Sequence, residues 1–218
     1  MTYQEIKKNE EVCAFLQKGN ENLGMLGYTD HSSLHCTLVA KRAACILEKF
    51  GYSEDLIELA RIAGFMHDIG NVVNRSRHAE YGAILANEIL KETDMSLKDR
   101  ITVVSAIGHH DESTGGATDP ISAALIIADK TDVRRNRVRN KAKENFDIHD
   151  RWNYAVTDAQ LVLDEKQRKV MLKLTIDTKL CPVLDYFEIF MQRTMMSKYA
   201  AKYLKVWFEL VINGTKLL

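Results

Sequence analysis

Apolar residues recur at three- and four-residue intervals along most of the first 140 positions, the spacing of one face of an α-helix. Leu34, Leu38, Val39, Ala43, Ile46 and Leu47 form one such stripe and predict a helix from about Asp30 to Phe50, stopped by Gly51. A helix is predicted before it over Thr2 to Lys18, ending at Gly19. Ser53 has the position and chemistry of an N-cap for the next, over Glu54 to His67. Further helices are predicted over His78–Glu92, Ser96–His109 and Pro120–Lys143.

After about residue 157 the period shortens. Leu161-Val162-Leu163 and Val170 to Ile176 read as two strands joined by the polar turn Glu165-Lys166-Gln167-Arg168. Pro182 suits the first turn of a last helix reaching Asn213-Gly214. That helix carries Phe187, Phe190, Tyr199, Tyr203, Trp207 and Phe208, a stripe that packs on the helical body or on a second copy of the chain as a homodimer. The expected fold is mainly α: a multi-helix bundle over residues 1–150, then a small C-terminal β-hairpin and a long C-terminal helix over 151–218.

Composition narrows the class. The 218 residues can bury a sizeable core, and 30 basic against 30 acidic side chains create no global field to recruit nucleic acid or an anionic membrane. Cys13, Cys36, Cys45 and Cys181 form no Cys-x-x-Cys pair, and the polar N-terminus does not read as a secretory signal. No stretch approaches the roughly 20 apolar residues of a membrane span. These features suit a soluble cytoplasmic protein with reduced thiols and no membrane partner.

The chemistry lies in the histidines. Six of seven fall between residues 31 and 110: His31 and His35, then His67 beside Asp68, then His78, then His109 and His110. Asp129 follows in the apolar run Ala123 to Ala128, where a carboxylate is costly without a cation, a partner or hydrogen bonds. Eight candidate ligands exceed what one metal needs. On a helix, His31 and His35 would project from one face. His109 and His110 would diverge by roughly 100°, so both reach one site only if their helix ends there. The loop Ser113-Thr114-Gly115-Gly116-Ala117 suits such an end.

The order His35-Cys36-Thr37-Leu38-Val39-Ala40, then Ala63-Gly64-Phe65-Met66-His67-Asp68-Ile69-Gly70, then Ala128-Asp129-Lys130 resembles the HD superfamily of metal-dependent phosphohydrolases over about residues 28 to 140. The resemblance implies an HD-type helical bundle with a central site, in which His35, His67, Asp68 and Asp129 hold a first metal. His78, His109 and His110 are similar to the second-metal ligands of the binuclear branch that includes the HD-GYP cyclic-dinucleotide phosphodiesterases. Asp68 then bridges both ions, and His31, where that branch has an acidic ligand, takes a peripheral or third-metal position. The segment after His110 contains no Gly-Tyr-Pro, so a cyclic dinucleotide is not assigned.

What this resemblance implies is a phosphatase or phosphodiesterase in which a metal-bridging hydroxide, oriented by Asp68 and Asp129, attacks a small phosphorylated, nucleotide-like substrate. Nitrogen-rich binuclear sites favour iron or manganese, with zinc, cobalt and nickel also suited, over magnesium. Lys130 is expected at a substrate oxygen. Arg134, Arg137 and Lys141 share a face of the predicted helix and would line the entrance, with Arg75 and Arg77 opposite; the same basic run also reads as a solvated helix face. Without interleaved aromatics it does not favour nucleic acid. Two alternatives stay open: a di-iron oxygenase similar to the inositol oxygenase group, and a non-catalytic metal-stabilised ligand sensor.

Overall fold

The computed structural model describes residues 1–139 and 148–218, the side chains of Ile148 and His149 excepted. Lys141, Lys143 and the His149 side chain therefore lie outside the described residues. Seven α-helices form the body: α1 (Tyr3–Ile6), α2 (Glu10–Met25), α3 (Ser33–Lys49), α4 (Glu54–Met66), α5 (His78–Lys91), α6 (Leu97–Gly108) and α7 (Pro120–Lys130). Then come α8 (Ile148–Ala155), β1 (Val156–Asp164), β2 (Lys169–Ile176), α9 (Val183–Tyr203), β3 (Trp207–Ile212) and β4 (Thr215–Lys216). The fold is mainly α, as the periodicity predicts. No described helix is long and apolar enough to cross a membrane.

At the centre, α3 packs on α4 and α7, while α5 packs on α6. Their facing positions, among them Val39, Ala43, Ile62, Ala63, Ile126 and Ile127, are fully buried. Helix α7 is apolar almost all round because α3, α4, α6 and α9 surround it. Its start is fixed by Asp119, which accepts from Ser122 N in a reciprocal capping box, with Pro120 at the first helical position.

Several boundaries differ from the sequence expectation, each for a physical reason. The first predicted helix is two: Asn9 accepts from Val12 N and restarts the chain as α2. Gly19 does not end α2. It marks a close approach, because a Cβ there would stand 3.0 Å from Val72 N. Helix α3 starts at Ser33, capped by Ser32, so His31 precedes the helix and does not share a helical face with His35. Helix α7 stops at Lys130 rather than Lys143: the Thr131 hydroxyl turns back onto the Ile127 carbonyl, and Asp132 leaves the helical path to meet His35 and Arg134.

The last helix ends at Tyr203, ten residues short of the expected Asn213. Trp207 to Ile212 is instead a strand, and the predicted hairpin becomes a four-stranded sheet of order β1-β2-β3-β4. Strands β1 and β2 pair antiparallel, β2 and β3 parallel with α9 as the crossover, and β3 and β4 antiparallel. Asn213 and Gly214, at φ 50° and 80°, form the two-residue turn between β3 and β4. The aromatic load of the last segment divides. Phe190 and Tyr186 pack on the buried Trp152 of α8, whereas Tyr199, Tyr203 and Trp207 are exposed.

Candidate metal centre

Five helix ends meet at one buried point. His35 lies in the first turn of α3, His67 and Asp68 follow the last turn of α4, and His78 opens α5. His110 follows α6, and Asp129 lies in the last turn of α7. Two of these ends put carboxylates where helix carbonyls already concentrate negative charge, a place that favours a cation. The turn after Asp68 is held tightly against α5: a Cβ on Gly70 would fall 2.0 Å from the His78 carbonyl oxygen, so only glycine fits.

The donor atoms form two groups. In the first, His35 Nε2 is 3.3 Å from Asp129 Oδ1 and 3.6 Å from Asp68 Oδ2. His67 Nε2 is 3.3 Å from Asp68 Oδ2 and 3.7 Å from Asp129 Oδ1. In the second, His78 Nε2 is 3.7 Å from Asp68 Oδ1 and 3.2 Å from His110 Nε2. Asp68 thus turns one oxygen to each group. His35, His67 and Asp129, and likewise Asp68, His78 and His110, bring their donor atoms within 4.8 Å of one another. Cys36 also falls near His67 and Asp68, but burial pushes its thiol pKa well up and keeps it a poor ligand.

Each imidazole is aimed through its other nitrogen. His35 Nδ1 donates to Asp132 Oδ2 at 2.7 Å, and His67 Nδ1 donates to the Gly64 carbonyl at 2.9 Å. His78 and His110 donate through Nδ1 to the carbonyls of Arg75 and Ile107 at 3.1 and 2.6 Å. All four therefore present Nε2 inward. His35 Nε2, His67 Nε2 and Asp68 Oδ2 are buried without a hydrogen-bond partner. Buried polar atoms are rarely left this way, and a nitrogen and oxygen donor set of this kind fits a divalent first-row metal.

The electrostatics agree. Burial raises the Asp68 and Asp129 pKa values, yet their cationic neighbours, His67 for Asp68 and Lys130 for Asp129, hold both well below the usual carboxylate range. Burial lowers His67, but Asp68 and Asp129 outweigh it and raise the imidazole to about 10. Burial lowers His31 and His78, and takes His110 to about 3.

Not every expected residue joins the cluster. His109, the C-cap of α6, is exposed and donates to the Ser105 carbonyl, away from both groups. His31 is buried with its ring centroid 5.5 Å from that of His35, but Nδ1 bonds the Thr29 carbonyl and it joins neither group. Lys130 is buried and spends its charge on Asp129 and Glu112. Arg134 and Arg137 lie beyond the end of α7 rather than on its continuation; both grip Asp132, through its carboxylate and its carbonyl respectively. Arg77 is exposed, in a left-handed conformation at φ 59° before α5.

Three residues that sequence reasoning passed over complete the surroundings. Asp132 orients His35; its only signal was a second carboxylate three positions after Asp129. Glu112 joins Lys130 to Arg193 of α9, whose Nε lies 2.9 Å from Glu112 Oε1. A cavity of about 200 Å³ adjoins the cluster, lined by His31, Arg75, Arg137, Glu112, Phe190 and Arg193 among others. Arg75 reaches to 4.0 Å from Asp68 Oδ1 at its inner end.

Comparison with known proteins adds an independent finding. The family model described as HD domain matches residues 33–137, the span that holds His35, His67, Asp68, His78, His110 and Asp129. An uncharacterized protein of Methanocaldococcus jannaschii is 32% identical over 173 residues, covering 68% of this chain and 66% of that protein. Ribonuclease Y of Enterococcus faecalis is 32% identical over 115 residues, 51% of this chain and 20% of that protein. The chain thus spans just under two thirds of the first relative and a fifth of the second.

Proposed function

The chain belongs to the HD domain family, within the superfamily of metal-dependent phosphohydrolases, and from that premise we propose that it hydrolyses a small phosphorylated, nucleotide-like substrate at a binuclear metal centre. The observation that carries the reading is the division of Asp68, whose two carboxylate oxygens face separate imidazole groups with inward Nε2 atoms. His35, His67 and Asp129 are the proposed ligands on one side, His78 and His110 on the other, with Asp68 shared. The mixed nitrogen and oxygen donors favour iron or manganese, with zinc, cobalt and nickel as further candidates.

Two such cations, when bound, lower the pKa of a shared water and neutralise phosphoryl oxygens. The chain's own contribution is arrangement. Asp68 and Asp129 stay ionised at neutral pH and supply the acceptors that orient an attacking water. The cavity beside them carries guanidinium groups from Arg75, Arg137 and Arg193, the side chain best shaped for phosphate oxygens. That charge supports phosphoryl transfer over dioxygen activation. His31, between cavity and cluster, is assigned a peripheral role against the substrate.

The test is a panel of nucleoside monophosphates, cyclic nucleotides, sugar phosphates and, because one relative is a ribonuclease, a short RNA, each with several metals. Metal-dependent turnover is expected on at least one, and Asp68→Ala should lower it by about 10³-fold or more while emptying both metal positions. Equal turnover by the variant, or none by the native chain on any substrate with any metal, would sink the reading.

A further inference from the structure

Helix α9 (183–203) lies outside the span matched by the family model, 33–137, yet it walls the cavity that adjoins the cluster. It packs along α7, which brings Ile189, Phe190 and Arg193 opposite His31, Arg75 and Arg137. Arg193 is half-buried and held in place by Glu112, which also meets Lys130, itself paired with Asp129. A continuous chain of charges thus runs from the cavity wall to the cluster. Arg193 Nε serves Glu112, and its guanidinium is otherwise part of the cavity lining.

We propose that α9 sets substrate specificity, with Arg193 as a substrate-binding residue that confines the site to small phosphomonoesters, the size of a sugar phosphate or nucleoside monophosphate. The inference rests on the phosphohydrolase reading above and deepens it. Size argues first: about 200 Å³ is below the roughly 300 to 1,000 Å³ of typical ligand pockets, and Ile189, Phe190 and Arg193 of α9 form one wall of it. Strand-binding sites are extended grooves with stacking rings in series, and a cavity of this volume has no room for several nucleotides. Charge argues second: the guanidinium groups of Arg75, Arg137 and Arg193 line the cavity beside the carboxylates of Glu112 and Asp150, and Arg193, fixed through Nε by Glu112, offers its remaining N–H groups to the oxygens of a terminal phosphate.

The experiment titrates inorganic phosphate and a nucleoside monophosphate into the folded chain by calorimetry, beside steady-state kinetics on the monophosphate and on a ten-nucleotide RNA. Arg193→Gln is expected to weaken both ligands about 10-fold and to raise KM more than it lowers kcat, with Arg193→Lys recovering part of the loss. Ile189→Trp narrows the cavity without touching its charge. It should weaken the nucleoside monophosphate about 10-fold and leave inorganic phosphate within about twofold; this variant decides the matter if Arg193→Gln fails to fold. Unchanged affinities in both variants, or faster cleavage of the RNA than of the monophosphate, overturn the proposal. Arg193-dependent phosphate binding without any turnover supports the pocket and sinks only the hydrolase reading.

Discussion

The two donor groups of the centre are built differently. In the first, His35 is oriented by a carboxylate, Asp132, which Arg134 and Arg137 hold in turn. Both Asp129 and one oxygen of Asp68 face the same point. In the second, His78 and His110 donate to main-chain carbonyls, Asp111 Oδ2 stands 3.7 Å from His78 Nδ1, beyond hydrogen-bond reach, and the only carboxylate oxygen among the three grouped residues is the other half of Asp68. A carboxylate behind an imidazole makes it a more basic ligand, whereas a carbonyl mainly fixes its tautomer. The first group therefore has more donor carboxylates and the one imidazole hydrogen-bonded to a carboxylate, and we expect it to fill before the second and to hold its ion more tightly.

Removing the shared residue is the largest perturbation, since Asp68→Ala acts on both sides at once. The sharper test is His110→Ala. It should reduce bound metal from about two ions per chain to about one and lower turnover roughly 10²-fold, leaving the first group loaded. Loss of both ions would mean the groups are not separable. Next in size is Asp132→Asn, which keeps a hydrogen-bond acceptor but removes the charge behind His35. A second-sphere change of this kind typically costs about 10- to 100-fold in metal affinity, and competition with a chelator should locate that loss in the tighter ion only.

Proton release separates the groups in another way. His67 is raised to about 10, because Asp68 and Asp129 outweigh its burial, so the metal-free chain carries that proton at pH 7. A cation must displace it, and binding at the first group should tighten as pH rises toward that value. His78 and His110 are lowered by burial and are already neutral at pH 7. Calorimetry in buffers of different ionisation enthalpy should therefore register about one proton for the first ion and close to none for the second. Equal release from both would erase the asymmetry.

Which parts of this centre could be read from the chain follows from how each is encoded. His35, His67, Asp68 and Asp129 stand out because each is a polar residue at the boundary of a strongly apolar helix, where sequence order and helical period both mark it. Asp132 escapes notice because its role depends on chain direction after a helix ends, and Arg193 because its role depends on how the distant helix α9 packs against α7. Pattern alone carried the predicted helix through to Lys143, whereas Thr131 and Asp132 stop it at Lys130. The sheet repeats the lesson. Trp207 to Ile212 followed by Asn213-Gly214 carries strand propensity and a two-residue turn signal, but the heavy aromatic content upstream made it read as more helix.

His109 is the smallest perturbation and the cleanest control on the comparison. It is adjacent to His110 in sequence, so ligand order alone gives the two imidazoles equal standing. Helix α6 breaks that tie by ending between them: His109 caps the helix and turns outward to the Ser105 carbonyl, while His110 turns inward onto Ile107 and faces His78. The geometry predicts that His109→Ala leaves metal content near two ions per chain and turnover within about twofold. Stability should change by no more than about 0.5 kcal/mol, the usual range for an exposed site. If His109→Ala instead removes one ion, as His110→Ala is expected to, the second group is assembled from a different imidazole and its orientation by Ile107 loses its meaning.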